Sequence, residues 1–216
     1  MRGLFSLLAV AAALASPVAP AAARDPSAPA PSFDCARAAT NVEHMICADP
    51  ELSALDRGLG LFYGAAMHNP RHGRAVRGQR EWLGARNACT TRTCLRDQMM
   101  DRLWRLTLSV GRGLPEYESE DADAYLIVVD LGRGWYAFGA EGVWEGPTTN
   151  DAGASGAFRL AAGRGEVAPA ANAFCAFTLT RLNGDRWRIA AHPPADGSPC
   201  GGMNATVEGT YNRRRR

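Results

Sequence analysis

Apolar residues recur every three or four positions between Leu52 and Val110, then on alternate positions in short runs from Tyr125 onward. That change of period predicts helices followed by strands. Leu52, Leu55, Leu59, Phe62 and Tyr63 form one helical stripe, and Leu95, Met99, Leu103, Leu106 and Val110 form another. Between them QREWLGARNAC, residues 79–89, predicts a shorter helix with Trp82 and Leu83 as its core contacts. Thr40-x-x-Glu43 is a capping box opening a helix through about Ala48, and Asp49-Pro50 is an N-cap followed by proline at the first helical position. Asn69-Pro70 breaks the second helix, a tight Cys89-TTRT-Cys94 loop separates the last two, and Gly111 and Gly113 stop the final one. Gly58, Gly60, Gly64 and Gly84 sit inside these helices. Each costs about 1 kcal/mol against alanine, so the helices depend on packing and cross-links.

Strands are predicted in Tyr125–Leu131, Gly134–Trp144, Phe174–Leu182, Asp185–Ala191 and, at the end, Asn204–Arg213. Asn183-Gly184 predicts a type I′ turn, and the two GRG triplets at 132–134 and 163–165 read as hairpin turns. Cys175 and Cys200 would tie a strand to the loop before the last one. The acidic run PEYESEDADA, led by Pro115, reads as a solvated linker. The fold class is therefore α+β: a small helical domain of about four helices, then an antiparallel all-β sandwich or small barrel. Boundaries follow as a signal peptide over 1–23, a disordered leader over 24–32, a helical domain over 33–113, an acidic linker over 114–123, and a β-rich domain with a basic tail over 124–216.

The leader sets the compartment. Arg2 precedes an apolar stretch from Leu4 to Ala15, and small residues at 21–23 follow Pro17 and Pro20. This is the pattern of a cleaved Sec-type export signal, with cleavage after Ala23 or, alternatively, after Ala15. A membrane span needs about 20 apolar residues, so none is expected. No cysteine lies near the cleavage region to accept a lipid, which predicts a periplasmic or secreted protein. All six cysteines, Cys35, Cys47, Cys89, Cys94, Cys175 and Cys200, lie beyond the leader, and an even count in an oxidising compartment favours structural disulfides. The spacing suits neither zinc nor a C-x-x-C redox couple.

The formal charge is +2, which gives no global field toward an anionic polymer, and no nucleic acid partner is expected. Every basic side chain is arginine, which removes lysine-dependent covalent chemistry. Arg213–Arg216 reads as a frayed, solvated tail. No catalytic constellation emerges. His68 and His72 are separated by Asn69-Pro70, which disfavours a shared helix and a metal site; His44 and His192 stand apart. There is no G-x-S-x-G elbow and no phosphate-cradling glycine motif. The chain is expected to be no enzyme, with no metal and no cofactor. Asn204-Ala-Thr206 fits a glycosylation acceptor, relevant only in a eukaryotic secretory pathway.

F-D-C-x(11)-C-A-D-P-E-L-x-x-L-D-R, followed by Q-R-x-W-L-x-x-R-x-x-C-x(4)-C-L, closely resembles the LprI-type lysozyme inhibitor N-terminal domain family over about residues 33–106. The resemblance implies an exported bacterial helical domain, the pairings Cys35–Cys47 and Cys89–Cys94, and a lysozyme-like glycoside hydrolase as partner. The first pairing would fix the N-terminal helix, and the second would make a hairpin of the last two. Asp56, Gln79, Arg80, Trp82 and Arg86 are the motif residues. Gln79, Trp82 and Arg86 share a helical face, either as an exposed recognition patch or, the favoured reading, as scaffold with Arg86 paired to Asp56 or Glu43. Binding would then come from the loops His68–Arg77 and Thr90–Thr93, whose Arg71, Arg74, Arg77 and Arg92 could reach the acidic cleft of such a hydrolase. A binding module for an envelope polymer or another protein is the alternative.

Overall fold

The computed structural model describes residues 26–69, 78–110, 113–170 and 175–215. The expected signal peptide over 1–23 lies outside these residues, as do Arg71, His72, Arg74 and Arg77.

Four helices lead: α1 (Asn41–Ala48), α2 (Pro50–Met67), α3 (Gln79–Asn87) and α4 (Arg92–Thr107). The capping signals act as the sequence predicts. Thr40 accepts from the Glu43 amide while Glu43 reaches back to the Thr40 amide, and Asp49 accepts from the Leu52 amide with Pro50 at the start of α2. One boundary differs. Thr91 caps α4 by accepting from the Cys94 amide, so Arg92 and Thr93 lie in the first helical turn rather than in a loop. That helix closes at Thr107, earlier than Gly111, where the Ser109 amide bonds the Leu106 carbonyl three residues back in place of the regular carbonyl four residues back.

Eight strands follow: β1 (Glu116–Ser119), β2 (Ala124–Gly132), β3 (Trp135–Glu145), β4 (Thr149–Arg159), β5 (Arg164–Val167), β6 (Ala176–Asn183), β7 (Arg186–His192) and β8 (Gly209–Arg213). They form one antiparallel sheet in the order β4-β3-β2-β1-β8-β7-β6-β5. The sheet curls until Trp187 of β7 meets Tyr136 of β3 and Phe158 of β4, with ring centres 5.6 and 6.1 Å apart. The result is a nearly closed barrel whose seam lies between β4 and β5. The α+β class is what the periodicity predicts, with the barrel rather than the sandwich of its two alternatives, and Cys35–Cys47 and Cys89–Cys94 staple the helical part as the resemblance implies.

Three local expectations give way. Residues 114–123, read as a linker, supply β1, which sits between β2 and β8. Its charge is balanced rather than simply solvated: Tyr117 turns inward, while Arg214 pairs with Glu116 at 2.8 Å and Glu118 at 3.1 Å. Those pairs hold Arg214, and Arg213 pairs with Tyr117 in the sheet and donates its amide to the Asp185 carbonyl at 2.9 Å, so the basic tail is not frayed there. The leader is also packed. Ala28, Pro29 and Pro31 are buried, Ser32 donates to Asp56 through its amide and its hydroxyl at 2.7 and 2.6 Å, and Arg133 donates to the Pro26 carbonyl. Finally, β6 and β7 form the expected hairpin, but neither Asn183 nor Gly184 has positive φ; a register shift between Arg181 and Asn183 replaces the type I′ turn.

Helices α2 and α4 lie on the outer face of β2–β4, and the two layers share one hydrophobic core. This explains why Leu126 to Val129 are all buried: alternate residues face the barrel and the helices. Close approach requires small residues at the contact. A Cβ on Gly58 would sit 2.5 Å from that of Ala137, and one on Gly139 would sit 1.9 Å from Thr107 Oγ1. Ser155, beside Gly139 in the sheet, donates to the Met100 carbonyl of α4 at 2.7 Å. The helix-interior glycine at 58 is thus a packing requirement.

Candidate functional site

Four of the five motif residues converge. Asp56 on α2 is 4% exposed; besides Ser32 it has the Arg86 Nη1 at 3.8 Å. Arg86 and Arg102 approach the Trp82 ring, their guanidinium carbons 5.3 and 5.9 Å from its centre. The Trp82 indole N–H donates to the Gln98 carbonyl at 2.9 Å, and Gln79 accepts from Arg102 at 2.8 Å. Burial pulls the Arg102 guanidinium below its ordinary value. The group encloses a cleft of only about 220 Å³. Arg80, on the same helix, is exposed.

Arg92 stands at the start of α4, where Nε donates to Asp49 and Nη2 to Glu51, both at 2.6 Å. Hydrogen bonding to Asp49 is the largest cause holding this guanidinium above its ordinary value. Asp49 caps α2 with its other oxygen, so Arg92 ties the beginnings of two helices together. The other three arginines assigned to binding lie outside the described residues.

Disulfides frame both halves. Cys35–Cys47 holds the N-terminal turn to the end of α1, and Cys89–Cys94 spans the α3–α4 corner. Cys175–Cys200 anchors the start of β6 to the loop between β7 and β8. That loop exposes Met203 to 75% and gives Asn204 a positive φ of 64°. His68 Nδ1 bonds to the Gly64 carbonyl and His192 Nε2 to Thr178, each at 2.7 Å. Among the described residues no cluster of three histidine, cysteine or acidic side chains could hold a metal.

A second cleft, of about 1020 Å³, was not anticipated. It opens along the edge of β4, between α4 and the segments held by Cys175–Cys200. Asp97, Asp101, Trp104 and Arg105 line it from α4, Asp151 and Gly153 from β4. Trp104 lies against Gly153, where a Cβ would fall 2.2 Å from the indole nitrogen. Asp101 and Arg105 pair at 2.7 Å across one helical turn. The signal available in the sequence was Trp104 itself, off the stripe made by Leu103 and Leu106. Its partner strand gave none, because TNDAGASGAFR is poor in β-branched and aromatic residues.

Comparison with known proteins adds a relationship over part of the chain. It is 32% identical over 110 residues to lipoprotein LprI of Mycobacterium tuberculosis and, at the same identity, to lipoprotein LprI of Mycobacterium bovis. Half of this chain is similar to LprI. The match covers 49% of the chain and 54% of each relative, so the chain spans about half the length of the curated relatives it matches. No family model matches the chain, and no solved structure matches it significantly. No described helix is long and apolar enough to cross a membrane, and three disulfides fit an oxidising compartment outside the cytoplasm.

Proposed function

We propose that the protein is an exported, non-catalytic component of the bacterial envelope that binds a lysozyme-like peptidoglycan hydrolase and blocks it. The observation that carries this reading is the likeness of half the chain to LprI, together with the motif residues that resemble the LprI-type inhibitor domain. The arrangement of those residues supports a division of labour: Asp56, Trp82 and Arg86 are engaged with one another, which leaves recognition to loops and grooves around them. Arginines reaching the paired carboxylates of the hydrolase cleft would block it, and Arg71, Arg74 and Arg77 are the ones assigned to that role. Arg92 belongs to the same set, although it must leave Asp49 and Glu51 to reach a partner.

A binding module for a different envelope partner is the second reading. It is favoured by the limited span of the match to LprI, but its polymer-gripping form is weakened by the engagement of Arg214 with Glu116 and Glu118.

The test is a lysis assay with the oxidised protein lacking residues 1–23, against c-type and g-type lysozymes. Stoichiometric inhibition that vanishes on reduction is the expected result. Full lysis in the presence of a micromolar excess of folded protein would overturn the inhibitor reading.

A further inference from the structure

The barrel seam leaves β4 as a terminal strand, and the 1020 Å³ groove runs along its free edge. The Asp151 carbonyl accepts from the Gly202 amide at 3.0 Å on the edge turned away from β3. Backbone groups alternate along a strand, so Gly153 and Ser155 direct theirs to the same edge. No strand pairs with it among the described residues. Such an edge is a template for an added strand, because it offers amides and carbonyls at strand spacing.

The walls select what can be added. Apart from Asp97, the lining sets Asp101 and Asp151 against one arginine, Arg105, a formal charge of −1 when all three are ionised. Trp104 adds a flat apolar surface, and its indole N–H, buried beside Gly153, has no hydrogen-bond acceptor among the described residues. Ala152, Gly153 and Ala154 leave room for a backbone to approach. The groove is thus small-walled where a main chain would lie and acidic where side chains would end.

We propose that this groove receives an extended, basic segment of the partner protein, added as a strand against β4, with its arginine or lysine side chains at Asp101 and Asp151. The inference rests on the binding-protein reading and gives the partner's contact surface a chemistry. An oligosaccharide stacked on Trp104 is the competing occupant. The free strand edge and the net negative charge favour the peptide, since a neutral sugar exploits neither.

The test uses the full oxidised protein lacking residues 1–23, isotope-labelled for amide NMR. Four probes are titrated: an alternating Arg-Val peptide, its Gln-Val counterpart, an N-acetylglucosamine oligomer and a c-type lysozyme. The arginine peptide is expected to shift the amides of residues 151–155 and to bind at least tenfold more tightly than the glutamine peptide, with affinity falling as salt rises. Asp101→Asn with Asp151→Asn should weaken it at least tenfold, while Glu81→Gln on α3 leaves it unchanged. No shift at 151–155 with the arginine peptide, or a shift there with the sugar alone, overturns the proposal. So does lysozyme binding that the two aspartate replacements leave intact. If lysozyme does not bind at all, the inhibitor reading fails, and the comparison of the two peptides on the unaltered protein still decides the groove.

Discussion

Arg96 of α4 donates through Nε to Glu51 of α2 at 2.7 Å, with both side chains largely withdrawn from solvent. Its two terminal nitrogens donate to the carbonyls of Ala168 and Pro169 just beyond β5. One guanidinium thus joins two helices to the far side of the barrel seam. Removing it leaves three acceptors in a poorly solvated place. Arg96→Met should lower unfolding stability by about 3 kcal/mol, seen as a melting point roughly 6–12 °C lower. Arg92 also contacts Glu51 but is half exposed, so Arg92→Ala should cost less than about 1 kcal/mol. Equal losses from the two replacements, read by calorimetry, would remove Arg96 as the joint.

A Cβ on Gly58 of α2 would fall 2.5 Å from the Cβ of Ala137 in β3, so the space between them is closed to a methyl group. Helix propensity alone predicts that Gly58→Ala stabilises by about 1 kcal/mol. Contact predicts the reverse, because the new Cβ meets the rigid backbone-borne Cβ of a strand. We expect destabilisation of about 1–3 kcal/mol. Gly84→Ala, on α3 with open space around it, should gain stability instead. Urea titration of the two variants separates the effects, and a gain in both would mean that the helix layer shifts freely on the sheet.

What the sequence made legible was what local chemistry decides. The capping box at Thr40 and Glu43, the Asp49-Pro50 start and the stripe Leu95–Leu106 are each written in neighbouring residues, and all appear in the fold. The strands that escaped notice are decided at a distance. β4 carries Gly153, Ser155 and Ala157 because α4 lies over it, so the residues that make it a good neighbour make it a poor-looking strand. β1 hides because its acids look like a solvated run until Arg214 arrives from the end of the chain. The groove was invisible for the same reason, since its walls come from α4, β4 and a loop near Cys200. Arg92 could be singled out from its neighbours in the chain, while its pairing with Asp49 and Glu51 depends on the packing of α2 against α4.

Tyr125 predicts the alkaline behaviour. Burial first, and then its hydrogen bond to Glu141 at 2.7 Å, hold its hydroxyl well above the ordinary phenol range. A folded-state value above the unfolded one contributes stability that is complete below the unfolded value, about 10, and is lost as pH rises beyond it. Unfolding free energy should therefore fall from about pH 10 upward. Tyr125→Phe should flatten that decline while lowering stability modestly at neutral pH, because Glu141 loses a donor. The check is equilibrium denaturation across the alkaline range; an identical slope in the variant would assign the decline to other groups.

Cys175–Cys200 closes a loop of 25 residues and holds one wall of the groove beside β4. Replacing both cysteines by serine should cost about 2–4 kcal/mol, since the unfolded chain regains the freedom of that loop. The loss should have a local signature. Amide hydrogen exchange is expected to rise at Ser198–Gly202 and at Asp151–Gly153, which the Gly202–Asp151 hydrogen bond joins, while α1 and α2 keep their protection. The corresponding removal of Cys35–Cys47 should loosen Phe33–Ala39 and α1 and leave the groove unchanged. If both replacements produce the same uniform increase in exchange, the two halves open as one cooperative unit. If the exchange stays local, the groove wall can be loosened without disturbing the helical layer, and any change in partner binding can be traced to the barrel seam.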